Sequence, residues 1–408
     1  MRALPRPFPG LFAASLVLAC AAPPADDTSA TQVDPGSTDA ATTITSTDST
    51  GPASTGTTTA ATSSTTLEPT TASPTTDALT TGTTTDTTTG TTTGDATTGD
   101  ATTGDPLDAV LTLQHAQIKG THNSYHVEPL IPFDASHEYT HAPLDVQLES
   151  QGVRAFELDV HKGLGGDFEV YHIAVIDAVS TCATLPACLG TMRQWSLAHP
   201  DHLPIVVWIE IKDQTGGLPI EPADLDALDD AIRGVLPPEQ LLTPDDLQGD
   251  HPSVRAALEA DGWPALAATR GQFVVVLLNV EDEHAEAYTD GYTTLAGRAM
   301  FARATPPQFG APWAAIAKLG LGGPAAIAQA HAARMLIATN TCSAGDSDAA
   351  CTSELEATLA SGIHMLKDDF PAPIDGKAYF LDFPDGNPAR CNPVTAPPEC
   401  TSAALEDL

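Results

Sequence analysis

Polar side chains suited to proton transfer stand near the ends of two short apolar runs in this sequence. His122 and Asn123 come shortly after the run "LQHAQIK", and His172 closes the run "FEVYH". One imidazole can take a proton from a hydroxyl while a second delivers a proton to a leaving oxygen. Cleavage of a phosphodiester needs such a pair, together with a cation that offsets charge on the phosphoryl oxygens.

Two further apolar runs carry charged residues at alternate positions. In "VRAFELDV" the side chains of Glu157 and Asp159 share one face of an extended strand, and in "PIVVWIEIK" Glu210 shares a face with Lys212. Three carboxylates brought together without a positive partner would repel one another and take up protons. With the amide oxygen of Asn123 they form an all-oxygen set, which suits Ca²⁺ better than Zn²⁺, and Mg²⁺ is less favoured than Ca²⁺. The alternative is a salt-bridge network between these carboxylates and Lys212.

The remaining histidines receive a structural interpretation. The chain has 13 histidines, and a histidine on a strand more often completes the packing than catalyses a reaction. His126 and His137 are therefore interpreted as structural. Asp177, five residues after His172, could orient an imidazole, but we expect it to be a carboxylate on a surface loop.

Short apolar runs rich in β-branched residues alternate with polar or helical stretches from Leu107 onward. We count eight runs, at residues 113–119, 153–160, 168–172, 204–212, 272–279, 299–304, 334–340 and 362–369. Leucine and isoleucine recur at helical spacing in the stretch 221–236 between two of them. Eight strands alternating with helices over about 260 residues predict an α/β fold, a distorted (β/α)8 TIM barrel. The second and third runs are too close for a helix, so one unit would be degenerate. A doubly wound open sheet is the alternative, although no glycine-rich phosphate-binding fingerprint follows the first run.

The N-terminal hundred residues have a different composition from the rest of the chain. Residues 1–20 combine two arginines, an apolar run too short to span a bilayer and a terminal Cys20, which predicts a signal peptide with a lipobox. Residues 21–106 are rich in threonine, glycine and aspartate and predict a disordered linker to a catalytic barrel domain at 107–408. We expect an exported protein that is anchored through Cys20 at the outer membrane or cell surface, or otherwise secreted.

Cysteine spacing indicates the compartment of the protein, and its net charge argues against one kind of partner. With Cys20 set aside, six cysteines remain in three close pairs, which predict the disulfides Cys182–Cys188, Cys342–Cys351 and Cys391–Cys400. Disulfides indicate an oxidising compartment. The sequence has 17 basic and 53 acidic residues, a formal net charge of −36, which argues against a nucleic-acid partner.

The candidate catalytic and metal-binding residues lie in stretches that resemble the calcium-dependent phosphoinositide-specific phospholipases C of bacteria and fungi. The matching stretches are, in order, "IKGTHNSYH", "LESQGVRAFELDVH", the segment from "VYHIAVID" to "VVWIEIKD", and "PARCNPVTAPPEC". The likeness extends from about Leu107 to Cys400. It implies a distorted (β/α)8 barrel of the PLC-like phosphodiesterase type.

The resemblance also implies roles for individual residues. His122 and His172 match the catalytic histidines of the family. The residues that match its calcium ligands are Asn123, Glu157, Asp159 and Glu210. In the family the inositol 2-hydroxyl attacks the adjacent phosphodiester and releases diacylglycerol and a cyclic or open inositol phosphate, so no serine or cysteine nucleophile is needed. Lys212 either contacts the substrate phosphate or neutralises the carboxylates, and we favour the second role slightly.

Two other functions remain open at this point. A glycerophosphodiester phosphodiesterase on a similar barrel would also use two histidines and carboxylates around a divalent cation. A surface lipoprotein could bind a cation or ligand without turnover, although such a protein would gain nothing from keeping both histidines. We expect a monomer that acts on phospholipid at a membrane surface.

Overall fold

The computed structural model describes residues 105–213, 217–384 and 386–406 of the chain. The predicted signal peptide, Cys20 and all but the last two residues of the predicted linker lie outside the described residues. The strands are β1 Ala116–Thr121, β2 Ala155–Lys162, β3 Phe168–Val170, β4 Ile205–Ile211, β5 Phe273–Leu277, β6 Phe301–Ala304, β7 Ile316–Lys318, β8 Leu336–Cys342, β9 Met365–Asp368 and β10 Ala389–Cys391.

Eight of these strands form a closed parallel barrel. The parallel neighbours run in the order β1, β2, β4, β5, β6, β7, β8 and β9, and β9 pairs with β1 again. The barrel confirms the predicted (β/α)8 architecture and excludes the open sheet. In such a barrel the C-terminal ends of the parallel strands meet on one side, where β1, β2 and β4 bring their polar residues together.

The remaining two strands are antiparallel additions to the barrel. β3 pairs antiparallel with β2, and β10 pairs antiparallel with β1. The third predicted strand, at 168–172, was therefore wrong as a barrel strand, because it folds back on β2 as a hairpin. The barrel strand that the prediction missed is β7, so the count of eight was correct only because the two errors compensate.

Helices cover most connections between the barrel strands. They are α1 Leu144–Glu149, α2 Leu185–Ala198, α3 Asp224–Val235, α4 Pro244–Gln248, α5 Val254–Ala260, α6 Leu266–Thr269, α7 Glu283–Tyr288, α8 Pro324–Ala332, α9 Asp348–Ser361 and α10 Ser402–Leu405. The link between β6 and β7 has only a 3-10 helix, Pro306–Gln308. The barrel is therefore irregular, as expected, but its irregular units include this link as well as the β2–β3 hairpin.

Side chains along each barrel strand point alternately into the lumen and towards the surrounding helices. On β4 the side chains of Val207 and Ile209 join the apolar layer under the helices, while Val206 and Trp208 belong to a second apolar cluster. Glu210 shares the face of Trp208 because alternate residues of a strand point the same way. On β2 the corresponding face carries Glu157 and Asp159. Apolar side chains thus fill the lumen near the amino ends of the strands, and charged side chains occupy it near their carboxyl ends.

All three predicted disulfides are present. Cys182–Cys188 joins the loop before α2 to that helix, Cys342–Cys351 joins the end of β8 to α9, and Cys391–Cys400 closes the segment after β10. No helix within the described ranges combines the length and apolar character needed to cross a bilayer.

Candidate active site

Three of the predicted ligands converge at the carboxyl ends of β2 and β4. Asp159 lies opposite Glu210 in the register of these two strands, and Glu157 lies two residues before Asp159 on the same face. A carboxylate oxygen from each lies within 4.8 Å of the other two. Glu157 and Asp159 are buried, and Glu210 is partly exposed. The structure therefore brings together the predicted carboxylates of the cation site.

His122 and Asn123 stand directly after β1, and His122 lies at the edge of this site. Nε2 of His122 lies 3.7 Å from Oε1 of Glu157. Asn123 is buried and has a φ of 43°, a left-handed conformation that asparagine adopts more readily than most residues. The chain turns sharply here, and the backbone N–H of Ser124 donates to the carbonyl of Glu157.

Lysine side chains neutralise much of the carboxylate charge. Nζ of Lys212 lies 3.2 Å from Asp159 Oδ2 and 3.7 Å from Glu210 Oε2. Burial disfavours the charged form of Lys212, but the two carboxylates outweigh burial and raise its pKa. Burial, followed by the charge of Asp159, raises the pKa of Glu210. Lys212 thus sits between the two carboxylates, the position expected of a neutralising residue.

Glu157 contacts two further lysines that the sequence reasoning did not single out. Nζ of Lys367, on β9, donates to Oε2 of Glu157, and Nζ of Lys318, on β7, lies 3.8 Å from the same oxygen. Burial lowers the pKa of Lys367 to about 7 and that of Lys318 to about 8. Lys367 is fully buried and Lys318 is partly exposed, and each loses its proton more easily than a lysine in water.

The donor set fits a hard cation. Asp159 is fully buried, and its carboxylate interacts with Nζ of Lys212 and the hydroxyl of Tyr125. A buried carboxylate is stable only where positive charge and hydrogen bonds balance it. Lys212 is shared with Glu210, so one lysine charge serves two carboxylates. Carboxylate oxygens from three side chains are the ligands that Ca²⁺ prefers.

A carboxylate from β9 fixes the ring of His122. Nδ1 of His122 lies 3.0 Å from Oδ1 of Asp369, which directly follows β9. Oδ2 of Asp369 in turn accepts a hydrogen bond from the backbone N–H of Ala344. A carboxylate can only accept, so the proton of the neutral ring lies on Nδ1 and the lone pair lies on Nε2. Nε2 is the nitrogen on the side of Glu157, where a substrate proton could be accepted.

His172 belongs to a different cluster from His122. It follows β3 by two residues, and its Nδ1 lies 2.7 Å from Oδ2 of Asp177. The same oxygen lies 2.8 Å from His137 Nδ1 and 3.1 Å from His126 Nε2. The expectation that Asp177 is a surface carboxylate was wrong, because the tight turn 173–177 folds it under the loop and three imidazoles bury it. Histidine hydrogen bonds outweigh the effect of burial and lower its pKa.

The residues that were missed fall into two kinds. Lys367 and Asp369 lie in the predicted run "GIHMLKDD", and its charged end was a readable signal of site residues at a strand terminus. His126, His137 and Asp177 lie on loops, and no periodicity in the sequence indicates that they meet.

Comparison with known proteins gives a family match and similar solved structures. The family model for Ca²⁺-dependent phosphoinositide phospholipase C matches residues 111–169 and 165–393. A Ca²⁺-dependent phosphatidylinositol-specific phospholipase C from Streptomyces antibioticus has 21% identity and a TM-score of 0.49, covering 64% of this chain and 95% of that chain. A calcium-dependent phosphoinositol-specific phospholipase C from a Pseudomonas species has 19% identity and a TM-score of 0.48, covering 67% and 96% respectively. No curated protein matches this chain.

The closed barrel of eight parallel strands with surrounding helices has the fold of a PLC-like phosphodiesterase. Because the family model matches more than half of the chain, the protein belongs to the Ca²⁺-dependent phosphoinositide phospholipase C family. It is a phosphoinositide phospholipase C-like enzyme, and its family membership supports calcium dependence.

Proposed function

We propose that this enzyme cleaves phosphatidylinositol-type phospholipids to diacylglycerol and a cyclic or open inositol phosphate by histidine acid–base catalysis. The observation that carries the proposal is the convergence of Glu157, Asp159 and Glu210 beside His122, with their carboxylate oxygens within 4.8 Å of one another. This set combines a cation site and a proton acceptor at one end of the barrel.

The calcium ligands would be Asn123, Glu157, Asp159 and Glu210. When bound there, Ca²⁺ would offset negative charge on the phosphoryl oxygens. Lys212 would balance Asp159 and Glu210, which its Nζ approaches to 3.2 and 3.7 Å, and direct contact with the substrate phosphate is the alternative role for this lysine.

The two histidines divide the proton transfers between them. Asp369 holds the ring proton of His122 on Nδ1, and Asp177 does the same for His172, so each neutral ring presents its lone pair at Nε2. One imidazole accepts the proton of the inositol 2-hydroxyl as its oxygen bonds to phosphorus. The phosphorus–oxygen bond to diacylglycerol breaks, and the other histidine, as imidazolium, protonates the leaving oxygen. Water can then open the cyclic phosphate with the roles reversed.

Exposed apolar side chains on the same end of the barrel suit a lipid interface. Leu130, Ile131 and Phe133, on the loop after β1, are all exposed. Val175 and Ile176, on the loop after β3, are exposed too, and Val175 is 95% exposed at a φ of 72°. A β-branched residue is strained in this left-handed conformation. We infer that the tip of this loop enters the membrane surface, where the exposed side chain of Val175 would leave water.

The enzyme would reach that surface as an exported lipoprotein. The predicted signal peptide, the lipid site at Cys20 and the linker 21–106 would place the barrel on the order of 50 Å from its anchor, at the outer membrane or cell surface. The three disulfides support an oxidising compartment. Replacement of Cys20 by serine should move the protein from the membrane fraction to the soluble fraction.

The test of the activity is release of water-soluble inositol phosphate from phosphatidylinositol vesicles by the full chain. We expect release with calcium, none with excess chelator, and losses of at least about 100-fold in His122→Ala and Asp159→Asn. His251→Ala is the control, because His251 pairs with Asp261 on the surface, outside the site. No release by a folded, calcium-binding wild type would refute the inositol-lipid substrate. Cleavage of glycerophosphodiesters instead would favour the alternative enzyme.

A further inference from the structure

A second group of possible metal ligands lies on the loops that follow β1 and β3. It consists of His126, His137, His172 and Asp177, and one ligand atom from each lies within 4.8 Å of the others. His126, His137 and Asp177 are buried, and the side chain of His172 is 17% exposed. We propose that this His3Asp cluster binds a divalent transition metal of the zinc class, at a site separate from that of calcium.

Hydrogen bonds alone satisfy this cluster poorly. Three ring nitrogens, from His126, His137 and His172, lie within 3.1 Å of the single oxygen Oδ2 of Asp177. A carboxylate oxygen offers about two lone pairs, so three donors exceed its capacity. Meanwhile Oδ1 of Asp177 is buried and has no hydrogen-bond partner in the described part of the chain. A cation held by the same four side chains would use the nitrogen lone pairs and the carboxylate charge together.

The ring of His126 also indicates that hydrogen bonds alone do not satisfy the cluster. Its Nδ1 lies 3.0 Å from the carbonyl oxygen of Tyr139, and its Nε2 lies 3.1 Å from Asp177 Oδ2. A neutral imidazole has one N–H and can donate to only one of these oxygens. A metal on Nε2 would remove this conflict and leave the ring proton on Nδ1. Histidines that bind metals commonly donate their other N–H to a backbone carbonyl, as Nδ1 can do with Tyr139.

The ligand types select the metal. Imidazole nitrogens and one carboxylate suit Zn²⁺ and related transition metals, whereas the Glu157, Asp159 and Glu210 cluster offers only oxygen and suits Ca²⁺. Tetrahedral bonds of about 2.0–2.2 Å separate neighbouring ligand atoms by roughly 3.4 Å. The nitrogens now lie 2.7–3.1 Å from Asp177 Oδ2. Because all four ligand atoms already lie within 4.8 Å of one another, small side-chain shifts would bring them to this spacing.

His172 belongs both to this cluster and to the proposed catalytic pair, so a metal bound to the cluster would inhibit the enzyme. This consequence rests on the proposed function, whereas metal binding itself does not. A metal on Nδ1 of His172 replaces the proton that Asp177 holds there, so the proton of the neutral ring moves to Nε2. The ring can then no longer accept a proton at Nε2. Zinc-class metals should therefore oppose the reaction that calcium supports.

The experiment titrates the calcium-saturated full chain with Co²⁺ and follows the visible absorption of tetrahedral cobalt, which does not depend on activity. Zn²⁺ is then added as competitor. His137→Gln and Asp177→Asn each remove one ligand. The matched control is His284→Gln, because His284 is also a buried histidine beside a carboxylate and lies with Asp213 and Glu283 in another group of possible ligands.

We expect one cobalt per wild-type chain, displaced by Zn²⁺. Its affinity should fall at least about tenfold in the two ligand variants and stay unchanged in His284→Gln. Zn²⁺ should stop phosphatidylinositol cleavage by the wild type, and at least tenfold more should be needed for His137→Gln relative to its own zinc-free rate. Absence of tetrahedral cobalt absorption from the folded wild type would overturn the metal site, as would equal affinity in wild type and His137→Gln. Cobalt bound through the cluster by a chain that cleaves no inositol lipid would refute the proposed function and leave the metal site standing.

Discussion

The Nδ1 atom of His122 lies 3.0 Å from the Oδ1 atom of Asp369, so a residue that follows the last barrel strand orients a ring that follows the first. This carboxylate keeps the ring proton on Nδ1 and stabilises the ring when Nε2 accepts a second proton. We expect Asp369→Asn to lower kcat on phosphatidylinositol by about 100-fold or more with little change in KM. Steady-state kinetics on vesicles and on a soluble inositol phosphodiester would measure this.

The control for Asp369 is Asp375→Asn, since Asp375 is exposed a few residues further along the same loop. It should keep wild-type kinetics. The conservative variant Asp369→Glu should recover part of kcat, because a carboxylate remains near the ring. A fall in kcat for Asp369→Asn that comes with a lower Tm, and that glutamate does not recover, would show that Asp369 acts through the fold and not through His122.

Calcium should stabilise the folded protein through Asp159. This carboxylate is fully buried and shares the charge of Lys212 with Glu210, so a bound cation would supply further balancing charge. We expect calcium to raise Tm, since a ligand that binds only the folded state adds to its stability. Asp159→Asn should weaken calcium binding at least about tenfold, because fewer charged ligands lower calcium affinity. Calorimetric titration and thermal unfolding with calcium or chelator would measure both effects.

Asp167→Asn provides the matched control, because Asp167 is an exposed aspartate in the turn between β2 and β3. Its calcium affinity should equal that of the wild type. Unchanged affinity in Asp159→Asn would contradict the ligand assignment and favour the salt-bridge network, in which lysines balance the carboxylates.

The strands that carry the site could be predicted because their residues alternate. Glu157, Asp159 and Glu210 follow a two-residue period, and a parallel barrel brings such positions to one end. The strand β7 at Ile316–Lys318 could not be predicted, because it has three residues within the alanine-rich stretch "APWAAIAKLG". Pairing with β6 and β8 makes it a strand, and this tertiary effect leaves no local signal.

The loop residues of the site could not be predicted for a related reason. Asp177 reaches His172 because the chain reverses within the turn 173–177, and His137 reaches both from a different loop. Loop paths depend on contacts far apart in the sequence, so spacing alone gave Asp177 the more common role of a surface carboxylate. The roles of His122, His172 and the four predicted calcium ligands stay predictions, of which the variants of His122 and Asp159 test two directly.

The exposed turn at Val175 should control binding to membranes. Val175→Asp places a charge at a tip that is 95% exposed, so the fold should tolerate it while burial in lipid becomes unfavourable. We expect weaker sedimentation with phosphatidylinositol vesicles and lower activity on them, but unchanged activity on a soluble inositol phosphodiester. Leu197→Asp is the control, because Leu197 is also exposed but lies near the end of α2, which leads to the opposite end of the barrel. Equal effects of the two variants on vesicle binding would contradict a specific interface at this turn.

Acid should destabilise the protein through buried histidines that stay neutral in the fold. Burial lowers the pKa of His202 to about 4 and that of His364 to about 3. In the unfolded chain both histidines have the ordinary pKa of about 6.5. Below that pH the unfolded state binds more protons than the folded state, so the free energy of unfolding falls as pH falls from about 6.5 towards 4.

His364→Gln should reduce this dependence on pH. Nδ1 of His364 accepts a hydrogen bond from the backbone N–H of Ile337, and a glutamine oxygen can replace that acceptor without titrating. Each buried neutral histidine contributes a slope of up to about 1.4 kcal/mol per pH unit over this range. We therefore expect denaturant unfolding of the variant to give a shallower loss of stability between pH 6.5 and 4. Between pH 7 and 8 both proteins should show the same pH dependence, because His364 is then neutral in both the folded and the unfolded state. Identical slopes below pH 6.5 would mean that His364 takes up its proton in the folded protein as readily as in the unfolded chain.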